Sequence, residues 1–145
     1  MFSRYLVATL FIILCSCKKN KDDKSVIPQI EFVSLSPSTV FQNQDSITFS
    51  IKYTDGDGDL GENNPGVKNL YLTDSRIQIP YSYRVEQLAP TGSSVAIQGT
   101  LNIVLKNILL TNSSTQQTAT FNIYMVDRAG NQSNTVTSTP VTILQ

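Results

Sequence analysis

From residue 29 onward, apolar and polar residues alternate with a period of two. The clearest run is 46–54, where every second residue is apolar: Ile47, Phe49, Ile51 and Tyr53. Side chains of a strand project alternately to opposite faces, so this run predicts a strand with one buried face. Similar runs, rich in Ile, Val, Thr, Phe and Tyr, occupy 29–35, 67–73, 77–88, 95–105, 118–126 and 135–144.

Clusters of turn-forming residues separate these runs, at 36–38, 55–66, 89–94, 111–117 and 128–134. Seven to eight antiparallel strands in about 115 residues predict an all-β fold with two packed sheets, and a barrel is the alternative. We expect Phe49 and Phe121 to fill the centre of the core. Gly99, inside a strand, indicates a bulge or a close approach to the backbone. The crossover helices of a parallel α/β fold are missing from the pattern.

Composition narrows the possible chemistry. The chain has no His, and its two cysteines lie at positions 15 and 17. The pattern therefore excludes His-based triads, His-ligated zinc, and disulfides or thiol nucleophiles in the body of the chain. The formal net charge is zero, so no basic field for nucleic acid is expected. Carboxylate, hydroxyl, amide and Lys chemistry remain.

The N-terminus predicts a lipoprotein signal peptide over residues 1–16. Arg4 precedes an apolar stretch at 5–14, which suits a signal sequence but is too short to span a membrane. The segment Leu14-Cys15-Ser16-Cys17 resembles a bacterial lipobox, which implies that Cys17 becomes the lipid-bearing N-terminus. Several acyl chains on Cys17 would hold the protein firmly on a membrane. The alternatives are an ordinary cleaved signal peptide, or a lipid on Cys15.

Residues 17–27 predict a flexible polar tether between the lipid and a domain at 28–145. The segment Lys18-Lys19-Asn20-Lys21-Asp22-Asp23 resembles the surface-export signal of Bacteroidetes lipoproteins. This resemblance implies an outer-membrane lipoprotein exposed at the cell surface, although the sequence leaves a periplasmic position open. From residue 25 onward the chain carries six basic and nine acidic residues, so the domain is mildly acidic.

The segment with the most chemical information is 55–66, the acidic loop. Three Asp residues alternate with Gly, and Glu62 follows: Asp55, Asp57, Asp59 and Glu62. Glycines let the backbone curl so that oxygens converge, and Ca²⁺ takes six to eight such oxygen ligands. An EF-hand is excluded, because this loop has Leu60 at the sixth position and Gly66 at the twelfth, where an EF-hand has Gly and Glu. The alternative is a solvated hairpin tip in which Asp and Gly form turns.

A second feature, an acidic residue in another loop, supports the prediction of a calcium site. Asp127 follows the run at 118–126 and is succeeded by Arg128, Ala129, Gly130 and Asn131. If the strands follow immunoglobulin order, this loop and the acidic loop emerge at the same end of the sandwich. Asp127, with an Asn131 oxygen, would then join the ligand set. Alternatively, Asp127 pairs with Arg128 or caps the turn.

Two longer segments carry a family resemblance. The stretch 47–61, ITFSIKYTDGDGDLG, resembles a recurrent segment of Bacteroidetes surface lipoproteins of undefined role. The stretch 126–136, VDRAGNQSNTV, is similar to the final hairpin of bacterial immunoglobulin-like and fibronectin-like modules. These resemblances imply an immunoglobulin-like β-sandwich on a lipid anchor. Asp45-Ser46-Ile47 also resembles a short Bacteroidetes O-glycosylation motif, which makes Ser46 a candidate acceptor unless it simply begins a strand.

The sequence favours a lipid-anchored binding or structural module stabilised by calcium, without catalysis. An enzyme is disfavoured because the acids cluster on one Gly-rich loop, whereas glycoside hydrolysis uses carboxylates on both sides of a bond. A carbohydrate-binding module is the alternative, with four Tyr residues as stacking platforms unless they belong to the core: Tyr71, Tyr81, Tyr83 and Tyr124. A glycan or an envelope protein is the expected partner; the sequence leaves its identity and the oligomeric state open.

Overall fold

A computed structural model describes residues 25–145. The predicted leader, most of the predicted tether and the lipidation site at Cys17 lie outside this range. The described chain is all-β and contains no helix, and hence no apolar helix of membrane-spanning length. Its ten strands are β1 Gln29–Ser36, β2 Thr39–Phe41, β3 Ser46–Asp55, β4 Leu70–Asp74, β5 Pro80–Tyr83, β6 Ile97–Lys106, β7 Gln116–Ala119, β8 Phe121–Met125, β9 Val136–Thr137 and β10 Val141–Leu144.

The strands form three sheets. One has the order β1-β3-β6, the second β5-β4-β8-β9, and the third β2-β10-β7. All pairs are antiparallel except β2 with β10, which is parallel. The prediction of purely antiparallel pairing is therefore wrong for this pair. The short strand β2 pairs with one side of β10, and β7 pairs with the other side.

The core lies between the inward faces of these sheets. Phe49 of β3 and Phe121 of β8 are fully buried and meet edge to face, with ring centroids 5.0 Å apart and an angle of 74° between the rings. Around them pack aliphatic side chains at alternate strand positions: Ile47, Ile51, Leu70, Leu72, Ile103, Leu105, Ile123, Met125, Val141 and Ile143. The period-two pattern thus identified the buried face, and the predicted central position of the two Phe side chains is confirmed.

The strand boundaries differ from the sequence pattern in several places. The short β2 was missed because three residues are too few to show an alternation. The run at 118–126 is divided between β7 and β8, and the run at 135–144 between β9 and β10, which raises the count from the predicted seven to eight strands to ten. The run at 77–88 keeps strand structure only at Pro80–Tyr83.

The two ends of the fold carry different loops. The acidic loop follows β3, and the Asp127 loop follows β8, at the end where the described chain begins. The Gly56 N–H donates to the Ser25 carbonyl oxygen at 2.8 Å, which fixes the start of the domain beside the acidic loop. We call this the acidic end. The 75–79 turn and the loop at 107–115 lie at the opposite end, the distal end.

Candidate metal centre

Asp55 is the last residue of β3 and is completely buried. Its Oδ2 accepts a hydrogen bond from the Leu60 backbone N–H at 2.8 Å, which closes the first part of the acidic loop over the carboxylate. Leu60 itself is fully buried and belongs to the core. An apolar anchor and a buried acid therefore fix the loop at positions 55 and 60.

Two glycines let the loop turn and pack closely. Gly58 has a φ of 76° and Gly61 a φ of 91°, a left-handed backbone that side chains rarely adopt. A Cβ at Gly58 would collide with the Val95 carbonyl oxygen, and one at Gly61 with the Glu86 carbonyl oxygen. The alternation of Asp and Gly thus serves two purposes, because the glycines allow the turn and the approach of the 86–95 segment.

The three Asp side chains of the loop converge. One carboxylate oxygen from each of Asp55, Asp57 and Asp59 lies within 4.8 Å of the others. The Oδ1 atoms of all three are buried and accept no hydrogen bond from any described residue. Buried polar atoms in native proteins nearly always have a partner, so a cluster with three unpaired carboxylate oxygens has the donor set that a cation site would require.

The pKa values of Asp55 and Asp59 are both raised within the cluster. Burial raises the pKa of Asp55, and the neighbouring Asp57 and Asp59 raise it further, against the opposing effect of the Leu60 N–H. Burial also raises the pKa of Asp59, as do the charges of Asp127 and Asp57. Both carboxylates are therefore costly to ionise where they stand. A cation or a proton would relieve this cost.

The Asp127 loop supports the acidic loop from the other side. The Ala129 backbone N–H donates to Asp59 Oδ2 at 3.0 Å. The Arg128 guanidinium donates through Nη1 to the Gly61 carbonyl oxygen at 3.0 Å. Both contacts lower the energy of the acidic loop, and the Arg128 charge and the Ala129 N–H oppose the rise in the pKa of Asp59. Sequence reasoning missed Leu60 and Ala129, since backbone donors leave no signal in residue type, and it considered Arg128 only as a partner of Asp127.

Asp127 caps its own turn. Its Oδ1 accepts from the Asn131 backbone N–H at 2.7 Å, and its Oδ2 accepts from the Asn131 side-chain Nδ2 at 2.9 Å. It is only 7% exposed, and its charge acts on Asp59, so it lies near the three-Asp cluster without belonging to it. In the structure Asp127 therefore has the turn-capping role that the sequence analysis gave as an alternative. Its hydrogen-bond donor in that turn is Asn131.

Glu62 and Ser46 lie outside the three-Asp cluster. The Glu62 Oε1 accepts a hydrogen bond from the Asn64 N–H at 2.9 Å, and the side chain is half-buried. Ser46 is exposed at the first position of β3, where it is accessible and also begins the strand. Of the predicted metal residues, the structure brings Asp55, Asp57 and Asp59 together and leaves Glu62 and Asp127 at the margin.

The four Tyr residues divide into two pairs. Tyr81 and Tyr83 of β5 are half-buried against the core, and burial raises the pKa of both hydroxyls. Tyr71 and Tyr124 are cross-strand partners on the opposite, outer face of the four-stranded sheet. Their rings stack with centroids 4.9 Å apart and 15° between the planes. Tyr81 and Tyr83 pack against the core, so Tyr71 and Tyr124 are the pair of these four that forms an aromatic surface.

Comparisons with known proteins add no family. No protein-family model matches the chain, and no curated protein matches it. Among solved structures, the X-ray structure of a Northeast Structural Genomics Consortium target, SoR45, is 13% identical to it. That match covers 81% of this chain and 83% of the other with a TM-score of 0.28, too low to carry an argument about fold or function.

Proposed function

We propose that this chain is a non-catalytic module of the cell envelope, anchored by a lipid on Cys17 and stabilised by a Ca²⁺ ion bound at its acidic end. The observation that carries the cation is the set of three buried Oδ1 atoms of Asp55, Asp57 and Asp59 without a hydrogen-bond donor. The lipid anchor is supported by the lipobox-like segment that ends at Cys17. No catalytic role is assigned, because the acids lie side by side on one loop.

Calcium fits this cluster better than smaller divalent ions do. Ca²⁺ accepts six to eight oxygens in flexible arrangements, whereas Mg²⁺ demands a near-ideal octahedron and keeps its water. Three carboxylates on a loop shaped by glycines supply hard oxygen ligands without strict symmetry. Because the three Oδ1 atoms are buried, the ion would be enclosed by protein. Its role would then be to hold the loop closed, not to bridge to a ligand in solution.

The strand order supports an immunoglobulin-like sandwich. That fold packs a sheet containing strands A, B and E against a sheet containing C, F and G, to which C′ can be added. The orders β1-β3-β6 and β5-β4-β8-β9 correspond to A-B-E and C′-C-F-G. The parallel pairing of the short β2 with β10 belongs to the third sheet, β2-β10-β7. The acidic loop and the Asp127 loop then emerge together, as that strand order requires.

The cation is tested by thermal unfolding and calorimetric titration of the full chain with CaCl₂, MgCl₂ or a chelator. A ligand that binds only the folded state stabilises it by RT ln(1 + [L]/Kd), about 2.7 kcal/mol at a hundredfold excess over Kd. For a domain of this size we expect a rise in Tm of about 10 °C. Calcium should act at lower concentration than magnesium.

Two matched variants locate the effect. Asp57→Asn removes one charge of the cluster and should abolish most of the calcium-dependent rise in Tm. Glu31→Gln removes one charge from an exposed position of β1 and should keep the full rise. Equal melting temperatures of the wild type in calcium and in chelator would refute the cation. Incorporation of a radiolabelled fatty acid, lost in Cys17→Ala and kept in Cys15→Ala, tests the anchor separately.

A carbohydrate-binding module is the second candidate, and one observation favours it. The stacked Tyr71–Tyr124 pair lies on the outer face of the four-stranded sheet, with Asn122 and Thr137 also on that face. Aromatic rings next to amide and hydroxyl groups form the kind of surface on which sugars stack. Binding to a glycan array that is lost in Tyr124→Ala and kept in Asp57→Asn would support this candidate.

A further inference from the structure

Three exposed aliphatic side chains lie beside the first turn of the acidic loop: Val26, Ile27 and Val95. The Ser25 carbonyl oxygen accepts from the Gly56 N–H at 2.8 Å, and the Ser25 Oγ accepts from the Ile27 N–H at 3.0 Å. The Val95 carbonyl oxygen lies so close to Gly58 that a Cβ there would collide with it. Residues 25–27 and Val95 therefore flank the same short stretch of the loop. We call the three aliphatic side chains the aliphatic rim.

The charges at this end are arranged in the opposite sense. The Oδ1 atoms of the three-Asp cluster are buried, so these acids face into the loop. Lys68 and Arg128 are exposed, line one small cleft of about 130 Å³, and form no ion pair with a carboxylate among residues 25–145. The acids of that cleft, Glu62 and Asp127, accept hydrogen bonds from backbone N–H groups of their own loops. The outer surface of the acidic end therefore presents aliphatic groups and cations.

The chain enters the domain at this same end. Ser25 is the first described residue, and residues 18–24 separate it from Cys17. Of these seven residues four are Lys and two are Asp, so the connecting segment has a net charge of 4 − 2 = +2. Lys residues next to a membrane anchor are attracted to anionic headgroups. The charge of the segment that leads to the acidic end thus complements an anionic lipid surface.

Distances decide which end of the domain can reach the membrane if Cys17 carries the proposed lipid. Eight residues from Cys17 to Ser25 span at most ~29 Å when fully extended. Strand β3 runs from the distal end to the acidic end and alone is ~30 Å long. A domain standing on its distal end would therefore hold Ser25 farther from the surface than the chain can reach. This excludes the distal end, although Ile79 and Leu109 are exposed there.

We propose that the acidic end rests on an anionic lipid surface, with the aliphatic rim at the level of the acyl chains and with Lys68 and Arg128 among the headgroups. The arrangement rests on the proposed lipid on Cys17, which brings the domain to the surface. The rim and the cations then fix which end faces it, because aliphatic groups beside cations bind anionic interfaces. A cation in the three-Asp cluster would neutralise carboxylates that otherwise repel the headgroups.

Tryptophan fluorescence tests this orientation. The chain has no Trp, so one introduced Trp reports its own surroundings. Val95→Trp places the probe in the aliphatic rim, and the matched control Ile79→Trp places it at the distal end; the native side chains are 53% and 58% exposed. In both chains Cys15→Ala leaves Cys17 as the single thiol, to which a maleimide lipid is coupled. The vesicles contain phosphatidylcholine and phosphatidylglycerol, with or without brominated acyl chains, in CaCl₂.

The two probes should respond differently. We expect the emission of Val95→Trp to shift to shorter wavelength on the vesicles and to be quenched by the brominated chains, while Ile79→Trp shows neither change. If neither probe is quenched, the domain is held away from the surface and the proposal is wrong. Equal quenching of both probes would mean that no end is preferred, which also overturns it. Quenching of Val95→Trp that is unchanged without phosphatidylglycerol would overturn the role of anionic lipid.

A second pair of variants tests whether the aliphatic rim makes the contact. Ile27→Glu in the Val95→Trp chain should remove most of the quenching, because a carboxylate is costly in the acyl layer. Leu109→Glu adds the same charge at the distal end and should leave the quenching unchanged; the native side chains are 45% and 49% exposed. Equal effects of the two substitutions would overturn the contact through the rim. Circular dichroism of each variant establishes that the charge changed the contact and not the folding.

The proposed anchor and the proposed contact can fail separately. The maleimide attaches a lipid to Cys17 whether or not cells do so. A chain whose Val95→Trp probe is quenched after chemical coupling, but which takes up no radiolabelled fatty acid in cells, would count against the proposed anchor alone. A chain that takes up the fatty acid and shows no quenching would overturn the contact and leave the anchor standing.

Discussion

Asp59 and Ala129, seventy positions apart in the chain, meet through a hydrogen bond of 3.0 Å from the Ala129 N–H to Asp59 Oδ2. This contact couples the acidic loop to the turn after β8. The same turn contributes the Arg128 guanidinium, which binds the Gly61 carbonyl oxygen. The charge state of the three-Asp cluster is therefore linked to the position of a second loop, and changes in one should be measurable in the other.

Removing one charge from the cluster should have opposite effects with and without metal. In chelator, Asp57→Asn relieves repulsion between carboxylates that lie within 4.8 Å of one another. Two unit charges at such a distance cost about 1 kcal/mol even in water. We expect urea unfolding in chelator to show Asp57→Asn as stable as the wild type or more so, by up to ~1 kcal/mol. In calcium the wild type should be the more stable. A variant less stable under both conditions would indicate a structural role for Asp57 alone.

The raised pKa of Asp59 predicts how pH acts on the metal-free protein. An acid whose pKa is higher in the folded chain binds more protons when folded, so its destabilising effect is complete above the folded pKa and disappears as pH falls toward the ordinary value of 3.8. Asp59→Asn should therefore be more stable than the wild type at pH 7 in chelator. That advantage should shrink as the pH is lowered to 4.

Protons and calcium compete for the same oxygens. Because burial and neighbouring charges raise the pKa of both Asp55 and Asp59, the affinity for calcium should fall as pH is lowered from 7 toward the ordinary value of 3.8. Calorimetric titration in two buffers of different ionisation enthalpy measures the protons released on binding. Proton release that is equal at all pH values in this range would contradict the raised pKa values.

Substitution of Arg128 should lower the stability of the metal-free protein and raise its affinity for calcium. Its guanidinium binds the Gly61 carbonyl oxygen at 3.0 Å, and its charge opposes the rise in the pKa of Asp59. Arg128→Gln removes a positive charge that partly neutralises the cluster, so in chelator we expect a loss of about 1 kcal/mol. Calcium should bind the variant more tightly, since a competing cation is gone. Lys106→Gln, which removes one positive charge from an exposed position at the end of β6 remote from the acidic loop, is the control for charge.

Much of this architecture was present in the sequence pattern. The alternation at 46–54 identified β3 and its buried face, because period two depends only on adjacent residue types. The convergence of Asp55, Asp57 and Asp59 could also be expected, because all three lie within five residues of one loop. What the pattern could not supply was Ala129 as a donor to Asp59, because this contact depends on where two distant loops meet.

The role of Gly99 shows the same limit. The sequence indicated a bulge or a close approach, and the structure shows no bulge between β3 and β6 at this position. Gly99 lies opposite Tyr53, and the Tyr53 ring crosses over it: a Cβ at Gly99 would lie 2.7 Å from the Tyr53 hydroxyl oxygen. The requirement for Gly thus comes from a side chain on the neighbouring strand, which a single strand's own pattern does not contain.

Substitution of Gly99 should therefore lower the stability of the protein, and the size of the loss should depend on the Tyr53 ring. In Gly99→Ala the new Cβ would lie 2.9 Å from two carbon atoms of the Tyr53 ring, so the ring must move. Because the contacts are with the far end of the half-buried Tyr53 side chain, we expect a loss of about 1 kcal/mol, the low end of overpacking costs. In the double variant Tyr53→Val/Gly99→Ala the clash is absent, so the alanine should cost much less in that background. Additive losses across this double-mutant cycle would mean that Gly99 is needed for its backbone and not for the ring.

A buried ion pair holds the distal end, far from the acidic loop. Asp74 is completely buried and the Arg76 side chain is 9% exposed, with Nη2 to Oδ2 at 2.7 Å. The guanidinium also donates to the Leu109 carbonyl oxygen and to Gln117 Oε1, both at 2.9 Å. One arginine therefore ties the end of β4 to the 107–115 loop and to β7.

Arg76→Met should be among the most destabilising single changes in this domain, because it leaves the buried Asp74 carboxylate without its charge partner. Loss of one member of a buried pair typically costs about 3–5 kcal/mol. Asp74→Asn/Arg76→Met removes both charges and should recover part of that loss in urea unfolding. Since the pair lies at the distal end, calcium should raise the Tm of the double variant by the same amount as in the wild type. A reduced calcium response there would show that the two ends of the domain are energetically coupled.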